Sequence, residues 1–359
     1  MVVRVYLKQA WNLMKQNPLF STLYIVGTGI SIVMTMVIAI VYYVRLAPVY
    51  PETNRMRTLV VKSAKMTNDE STHSSNISYA MLKDWFYSLE SAEVSTGVSG
   101  TSYARVTNDK EEIPTYARYT DENFFRVFPL VFLEGKPFTE ADRRSGIHNV
   151  VLTDSYAQQL FGTTKGVVGK NFLMDYTNVK VVGVVKSGSF LTPDSYAQVY
   201  LPYSCRDGYD DEGSHWALGG YRVYILMKES KSVTDVQDEV LELVRKFNVS
   251  DMGDGWKLDL VGQPELYWHS TFRLWSNVAV DWGRVIWMFV GIFMVLLFVP
   301  AFNLSGMISA RMERQLPDLG IRKAFGASRR RLLVQIIWEN LLLTGLGTLL
   351  GLVIAWIVL

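Results

Sequence analysis

Apolar residues are unevenly distributed along this 359-residue chain and concentrate in three blocks near its two ends. The first block runs from Leu19 to Val44 without a charged residue, the second from Val285 to Ile308, and the third follows the arginine run at 329–331. A helix rises about 1.5 Å per residue, so each block is long enough to cross the hydrocarbon core of a bilayer, about 30 Å thick. We predict three transmembrane helices, over 19–46, 284–308 and 331–359.

A cleaved signal peptide is the alternative for the first block. The apolar region of such a peptide is about 7–15 residues long and is followed by a small-residue cleavage site. Here the apolar run is longer, and Tyr42, Tyr43 and Arg45 stand at its end. We therefore favour a retained membrane anchor.

The third block contains Gly347 and Gly351 at the four-residue spacing that lets two membrane helices pack closely. Glycine is also frequent in membrane helices in general, so both interpretations stay open. Glu339 and Asn340 interrupt the same block. An acidic residue at that depth is expected to face other protein or to lie near the membrane interface.

Basic residues indicate the orientation of the chain. Residues 1–17 carry Arg4, Lys8 and Lys15 without an acid, and the segment 309–331 is also strongly basic. Loops rich in lysine and arginine stay in the cytoplasm. Both segments are therefore predicted to be cytoplasmic, and the region between the first two spans is predicted to be extracytoplasmic.

The N-terminal segment 1–17 alternates apolar and basic residues at nearly helical spacing. This pattern predicts an amphipathic helix on the inner membrane surface, with its lysines toward anionic lipid. A solvated helix packed on another subunit is the alternative.

The region 48–280 has the mixed pattern of a folded domain outside the membrane. Short apolar runs predict strands at Arg57–Lys62 and Tyr221–Met227, and polar turns near 107–110 and 176–178 predict two β-hairpins. Helical spacing of apolar residues follows each of the two strands. The repeated order predicts two related α+β halves, about 55–135 and 215–275, around a mainly β insert, about 136–212.

Composition and charge narrow the possible functions. The chain is 49% hydrophobic and its mean hydropathy is +0.12, which is high for a soluble protein. A net charge of +2 argues against a nucleic-acid partner, and the single Cys205 rules out an internal disulfide and a thiolate-rich metal site. The sequence contains no phosphate-binding G-x-x-x-x-G-K-[ST] loop and no G-x-S-x-G elbow. We predict no catalytic site, metal or cofactor on this chain.

Two stretches of sequence resemble the MacB/FtsX-type ABC transporter permeases. The first contains, in order, Asn123-Phe124-Phe125, Gly135-Lys136-Pro137-Phe138, Val150-Val151-Leu152-Thr153, Leu160-Phe161-Gly162 and Val182-Gly183-Val184-Val185. It is similar to the MacB-like periplasmic core domain. The second contains Ser309-Ala310-Arg311 and the run Asp318-Leu319-Gly320-Ile321-Arg322-Lys323-Ala324-Phe325-Gly326-Ala327-Ser328. It resembles the cytoplasmic loop of the FtsX-like permease domain.

The sequence departs from this family at three points. Asp318 stands where the family usually has glutamate, and Pro317 stands where a polar or charged residue is usual. Family members of this class have four membrane helices per chain, whereas three are predicted here. Because Leu359 ends the chain inside an apolar run, we expect that a fourth helix is missing from this sequence. A different architecture is the alternative.

The resemblance implies that the cytoplasmic segment 309–328 docks on an ATPase. Within it, Pro317–Phe325 is predicted to form a short coupling helix that Gly326 ends. Its apolar residues would fill a groove on the ATPase, with Arg322 and Lys323 at acidic groups on the rim. A basic loop that only obeys the positive-inside rule is the alternative. The residues predicted to dock are Leu316, Asp318, Leu319, Gly320, Ile321, Arg322, Lys323, Phe325 and Gly326.

The resemblance predicts the permease subunit of an ABC transporter in the bacterial inner membrane, with its central domain in the periplasm. ATP and Mg²⁺ would bind to a separate ATPase dimer, and the permease would pair with a second copy or a paralogue. Membrane lipid and a periplasmic adaptor or cargo protein are further expected partners, and the cargo would be a peptide, a drug or a lipoprotein. The alternative is a membrane-tethered sensor or scaffold that regulates a periplasmic partner without transport, although the docking segment argues against it.

Overall fold

The computed structural model describes residues 11, 15, 18–100, 102–108, 111–210, 216–250, 255–325 and 328–358. The chain divides into two compact units. One comprises Met1–Tyr43 and Trp282–Leu359, and the other comprises Val44–Asp281. The amphipathic helix predicted over 1–17 lies almost wholly outside the described residues.

The described residues form eight α-helices and fifteen strands. The helices are α1 (Pro18–Leu46), α2 (Tyr79–Asp84), α3 (Phe124–Val127), α4 (Glu140–Arg144), α5 (Asp154–Phe161), α6 (Val233–Val249), α7 (Trp282–Ala324) and α8 (Arg329–Val358). The strands are β1 (Thr58–Val61), β2 (Ala64–Thr67), β3 (Thr72–Ile77), β4 (Ala92–Ser99), β5 (Ser102–Asn108), β6 (Glu111–Thr120), β7 (Phe132–Gly135), β8 (Asn149–Thr153), β9 (Asn171–Met174), β10 (Thr177–Val185), β11 (Val199–Pro202), β12 (Leu218–Gly219), β13 (Tyr221–Met227), β14 (Lys257–Asp259) and β15 (Glu265–Leu266).

Two helices of the first unit are long and apolar enough to cross a membrane. These segments are Ser21–Leu46 in α1 and Ile336–Ile357 in α8, with mean hydropathies of 2.3 and 1.9. In α7, the apolar segment found among the described residues is shorter, Trp282–Leu296. The sequence also predicted that this transmembrane helix ends at about residue 308 and that Pro317–Phe325 forms a separate short helix. The structure instead has α7 continuous to Ala324.

The second unit is built around an eight-stranded sheet. Its strand order is β14-β2-β3-β13-β1-β15, with β4 paired to β13 and β12 paired to β3. The central pairing joins β1 to β13 in antiparallel register, with Leu59 opposite Ile225 and Val61 opposite Val223. The two predicted halves, 55–135 and 215–275, therefore do not form separate sheets. Strands β1–β4 of the first half and β12–β15 of the second are interleaved within one sheet.

Both faces of this sheet are buried, because neighbouring residues of a strand point to opposite sides. Leu59 and Ile225 belong to a hydrophobic cluster with Val236 and Val240 of α6. Val60 and Tyr224, on the other face, belong to an aromatic cluster that includes residues of α3. The sheet therefore lies between α6 on one face and the aromatic cluster on the other, and it connects these parts of the unit.

The remaining seven strands form a second sheet, in the order β7-β10-β8-β11-β6-β5-β9. Because β9 also pairs with β10, six of them close into a barrel and β7 adds to its outside. All six strands contribute to one hydrophobic cluster, with Val106, Ala117, Leu152, Phe172, Val181 and Val199 among its members. Closure leaves no free edge among these six strands, which protects them from pairing with other chains.

The boundary of the insert differs from the prediction. Strands β5, β6 and β7 belong to the barrel sheet, so the insert begins near Ser102 and not at about residue 136. The two predicted hairpins are confirmed as β5–β6 and β9–β10. Local turns therefore were recognisable, whereas the sheet to which each hairpin belongs depends on pairings between residues distant in the sequence, such as Val199 with Ala117.

Asp121 joins the two sheets. It follows β6 of the barrel, its side chain is completely buried, and it accepts hydrogen bonds from the Gly97 N–H (2.8 Å) and the Thr96 hydroxyl (2.6 Å) of β4. The Tyr87 hydroxyl donates a third bond to it, at 2.6 Å. The Asp121 carboxylate, which follows a barrel strand in the sequence, thus accepts hydrogen bonds from a strand of the eight-stranded sheet. It thereby links the two sheets.

We predict that Asp121→Ala lowers the thermal unfolding midpoint of the full chain in detergent, followed by near-ultraviolet circular dichroism. The substitution leaves several buried donors without their acceptor, at about 1–3 kcal/mol each. Asp142→Ala is the control, because it removes a half-buried carboxylate that belongs to the capping box of α4 and should cost only about 1 kcal/mol. Equal shifts in the two variants would contradict the role given to Asp121.

Candidate functional site

The predicted docking residues lie at the end of α7. Leu316, Ile321 and Phe325 are exposed, by 59%, 57% and 88%. The Phe325 N–H donates to the Ile321 carbonyl oxygen at 3.1 Å, so the backbone is helical up to this point. Gly320 and Lys323 are also exposed.

The remaining predicted docking residues are described only in part. The backbone of Asp318, Leu319 and Arg322 lies within α7, and Gly326 lies outside the described residues. The structure therefore brings most of the predicted segment onto one helix end. In the structure this segment forms the last turns of the long helix α7 and not a separate short helix.

Helical geometry divides the exposed apolar residues between two faces. Ile321 and Phe325 are four residues apart and lie on the same face. Leu316 precedes Ile321 by five residues, which rotates it by about 140° around the helix axis. The expectation that Leu316, Leu319, Ile321 and Phe325 fill one groove stays a prediction, and it would require a groove that reaches more than one face of the helix. The pair Ile321 and Phe325 forms the compact apolar surface.

The two glycines singled out in the third block contact the first helix. A Cβ atom added to Gly347 would lie 2.7 Å from the Thr28 Cβ and 2.9 Å from the Ile25 carbonyl oxygen. A Cβ atom added to Gly351 would lie 2.8 Å from the Gly29 carbonyl oxygen. The structure thus places both glycines where only a hydrogen atom fits between α8 and α1.

A polar contact lies one turn away from these glycines. The Tyr24 and Thr344 hydroxyl groups are 2.9 Å apart across the same helix pair, and Tyr24 is buried. Sequence reasoning missed the α1 side of this interface. The small residues Gly27 and Gly29 within an apolar run were the available signal.

Nucleophilic and metal-binding groups are not gathered at a site in the part of the chain that is described. No group of three histidine, cysteine, aspartate or glutamate residues able to hold a metal ion occurs among the described residues. Burial raises the pKa of the Cys205 thiol to about 12, so this thiol is protonated at neutral pH and a poor nucleophile.

Comparison with known families identifies the class of protein. The model of the MacB-like periplasmic core domain matches residues 20–243, and the model of the FtsX-like permease C-terminal region matches residues 277–359. Together they define a permease component of an ABC transporter. The chain belongs to the MacB/FtsX-type ABC transporter permeases.

Individual relatives are distant. The chain is 25% identical over 237 residues to the pyoverdine export ATP-binding/permease protein PvdT of Pseudomonas entomophila, an alignment that covers 64% of this chain and 34% of that protein. It is 21% identical over 255 residues to the macrolide export ATP-binding/permease protein MacB of Escherichia coli O157:H7, covering 71% of this chain and 37% of that protein. The chain thus spans about a third of the length of these relatives.

Two further matches also have low sequence identity. The uncharacterized ABC transporter permease YvrN of Bacillus subtilis is 22% identical over 249 residues, covering 64% of this chain and 54% of that protein. Among solved structures, the periplasmic region of MacB from Actinobacillus actinomycetemcomitans matches with a TM-score of 0.40 and 16% identity, covering 55% of this chain and 88% of that one.

We predict that Gly347→Ala destabilises the helical unit and that Gly345→Ala does not. Both substitutions replace a helical glycine by alanine and therefore gain the same helix propensity, about 1 kcal/mol. Only the Cβ atom at 347 collides with α1, whereas nothing lies within 4 Å of a Cβ atom at 345. Thermal unfolding midpoints of the full chain in detergent measure the difference. A Gly347→Ala variant as stable as Gly345→Ala would contradict the close packing of α8 on α1.

Proposed function

We propose that this chain couples ATP hydrolysis on a separate ATPase to movement of its Val44–Asp281 unit, and thereby exports or extracts a cargo at the outer face of the bacterial inner membrane. The observation that carries the proposal is the continuity of α7. This helix has 43 residues, so at about 1.5 Å per residue it is about 65 Å long. Only about half of that length is needed to cross the hydrocarbon core.

The two ends of α7 have different neighbours along the chain. It begins at Trp282, directly after the last residue of the second unit, Asp281. At its other end it carries the exposed pair Ile321 and Phe325 beside Lys323. A displacement of one end of a continuous helix is transmitted along it as a rigid-body motion. An ATPase that binds the far end therefore has a mechanical connection to the unit that α7 follows.

The charge distribution supports the orientation. The last turns of α7, the first residues of α8 and the residues before α1 are rich in arginine and lysine, which favours the cytoplasm for all of them. The second unit would then be periplasmic. The names of the relatives describe export of pyoverdine and of macrolides, and we propose a peptide, drug or lipoprotein as cargo here. A second permease copy or a paralogue would complete the transporter, and a periplasmic adaptor would receive the cargo.

Labelling of single cysteines tests the orientation. In a Cys205→Ser background the chain has no cysteine, and Tyr176→Cys and Lys323→Cys each introduce one at an exposed position. We expect a membrane-impermeant maleimide to label position 176 in intact spheroplasts and position 323 only after permeabilisation. The opposite pattern would overturn the proposed topology.

Substitutions on the two faces of the end of α7 test the docking. We expect Ile321→Ser and Phe325→Ser to weaken co-purification of the ABC ATPase with the tagged chain by about 10- to 100-fold, because a buried apolar anchor contributes about 1–3 kcal/mol to binding. Leu316→Ser is the matched control, since Leu316 is as exposed as Ile321 but lies on another face.

ATP hydrolysis by the reconstituted pair separates transport from scaffolding. A transporter requires that hydrolysis respond to the permease, and the Phe325→Ser variant should lose that response. Retention of ATPase binding by the Ile321 and Phe325 variants, or an equal loss in Leu316→Ser, would count against docking through this pair.

A further inference from the structure

A cationic cavity of about 360 Å³ lies within the second unit. Its charged lining residues are Arg45, Arg55, Lys62, Asp194 and Arg222. They come from separate parts of the unit: the last turn of α1, the segment before β1, the residue after β1, the loop between β10 and β11, and β13. The fold therefore assembles this cluster from positions that are far apart in the sequence.

Asp194 organises the cavity. Its carboxylate accepts hydrogen bonds from the Lys62 Nζ at 3.0 Å and from the Arg222 guanidinium at 3.3 Å. Burial alone would raise the pKa of Asp194, but the charges of Lys62 and Arg222 oppose it and hold the pKa well below its usual range. The carboxylate is therefore ionised, and it links a loop of the barrel sheet to the eight-stranded sheet.

Positive charge exceeds negative charge around the cavity. Arg55 is paired with Glu52, so these two charges offset each other. Among the remaining charged residues that line the cavity, Asp194 is the one carboxylate, and Lys62, Arg222 and Arg45 are cations.

The cations retain donors for a further acceptor. Lys62 and Arg222 each give Asp194 one hydrogen bond, whereas an ammonium group has three N–H donors and a guanidinium group has five. The Lys62 side chain is 16% exposed and that of Arg222 is 37% exposed, both at the cavity. Lysine and arginine in this arrangement are suited to phosphate, which accepts several charge-assisted hydrogen bonds at once.

The position of the cavity along the chain points to a membrane ligand. Arg45 lies in the last turn of the apolar segment Ser21–Leu46. Thr271, another lining residue, is followed by the exposed side chains of Leu274 and Trp275 and then by α7. Tryptophan and arginine at the ends of apolar helices are typical of the headgroup layer of a bilayer.

We propose that this cavity binds the phosphate group of an anionic phospholipid, with Lys62, Arg222 and Arg45 as its ligands. The inference rests on the membrane placement of α1 proposed above. A bound phosphate would share Lys62 and Arg222 with Asp194. Lipid binding would therefore act on the link between the barrel loop and the eight-stranded sheet.

The test measures binding to the purified, delipidated full chain in a neutral detergent. The probes are phosphatidylglycerol, phosphatidylcholine and inorganic phosphate, and the readout is the shift of the thermal unfolding midpoint with probe concentration. We expect phosphatidylglycerol to raise the midpoint and phosphatidylcholine not to. We expect Lys62→Gln and Arg222→Gln to weaken phosphatidylglycerol binding at least tenfold. Arg144→Gln is the control, because Arg144 is an exposed arginine of the same unit that does not line the cavity.

Arg45→Gln provides a second variant that leaves the Asp194 contacts intact, and it keeps the test decisive if the other two variants fail to fold. Wild-type affinity in Arg45→Gln, or equal shifts with phosphatidylglycerol and phosphatidylcholine, would overturn the proposal. A shift with inorganic phosphate alone would instead identify a free phosphate as the ligand and overturn the lipid assignment. No ATPase takes part in this assay, so its failure is distinct from a failure of the docking at Ile321 and Phe325.

Discussion

The antiparallel pairing of β1 with β13 is the constraint on which the second unit depends. Thr58–Val61 and Tyr221–Met227 are separated by about 160 residues of chain, yet they are neighbours at the centre of one sheet. Val60, Leu59 and Val61 are completely buried in this pairing, and each such side chain contributes roughly 1.5–3 kcal/mol when it leaves water. The whole barrel is thereby enclosed as an insertion between two adjacent strands.

This pairing also joins the parts of the unit that precede and follow the barrel in the sequence. The strand that follows α1 and the strand that precedes α6 belong to the same sheet, whose two faces are covered by α6 on one side and by the aromatic cluster around Tyr224 on the other. Polar contacts also attach the barrel to this sheet, and those of Asp121 and Asp194 are two of them. Both are carboxylates that a barrel strand or loop supplies to donors of the sheet. The barrel is thus held by a few directional interactions in addition to the apolar contact.

Two constraints describe the helical unit, namely the close packing of α8 on α1 and the length of α7. Close approach of α8 to α1 requires glycine at 347 and 351, because in lipid the association of helices depends on van der Waals contact and not on the hydrophobic effect. The length of α7 is the second constraint, since a helix of 43 residues exceeds what a bilayer core of about 30 Å accommodates. The exposed pair Ile321 and Phe325 therefore extends beyond the apolar part of the helix, where another protein can reach it.

The sequence by itself determined the features that depend on local pattern. Apolar blocks and basic flanks indicated α1, α7 and α8, polar turns indicated the β5–β6 and β9–β10 hairpins, and the motifs from Asn123 and from Ser309 indicated the family. These properties are recognisable because periodicity, charge and turn residues act over a few residues. The extent of α7 past Ile308 was not predicted, since a polar segment after an apolar one has the same local pattern whether or not the helix continues.

Only the tertiary structure decided which distant residues meet. The assignment of β5–β7 to the barrel, the position of Asp121 between two sheets, the contact of Gly29 with Gly347 and the group of Lys62, Asp194 and Arg222 all depend on pairings across many residues. No local pattern encodes such a pairing, because each strand has several partners of similar hydrophobicity. The choice among them is made by how well the complete set of side chains fills the interior and satisfies its buried polar groups.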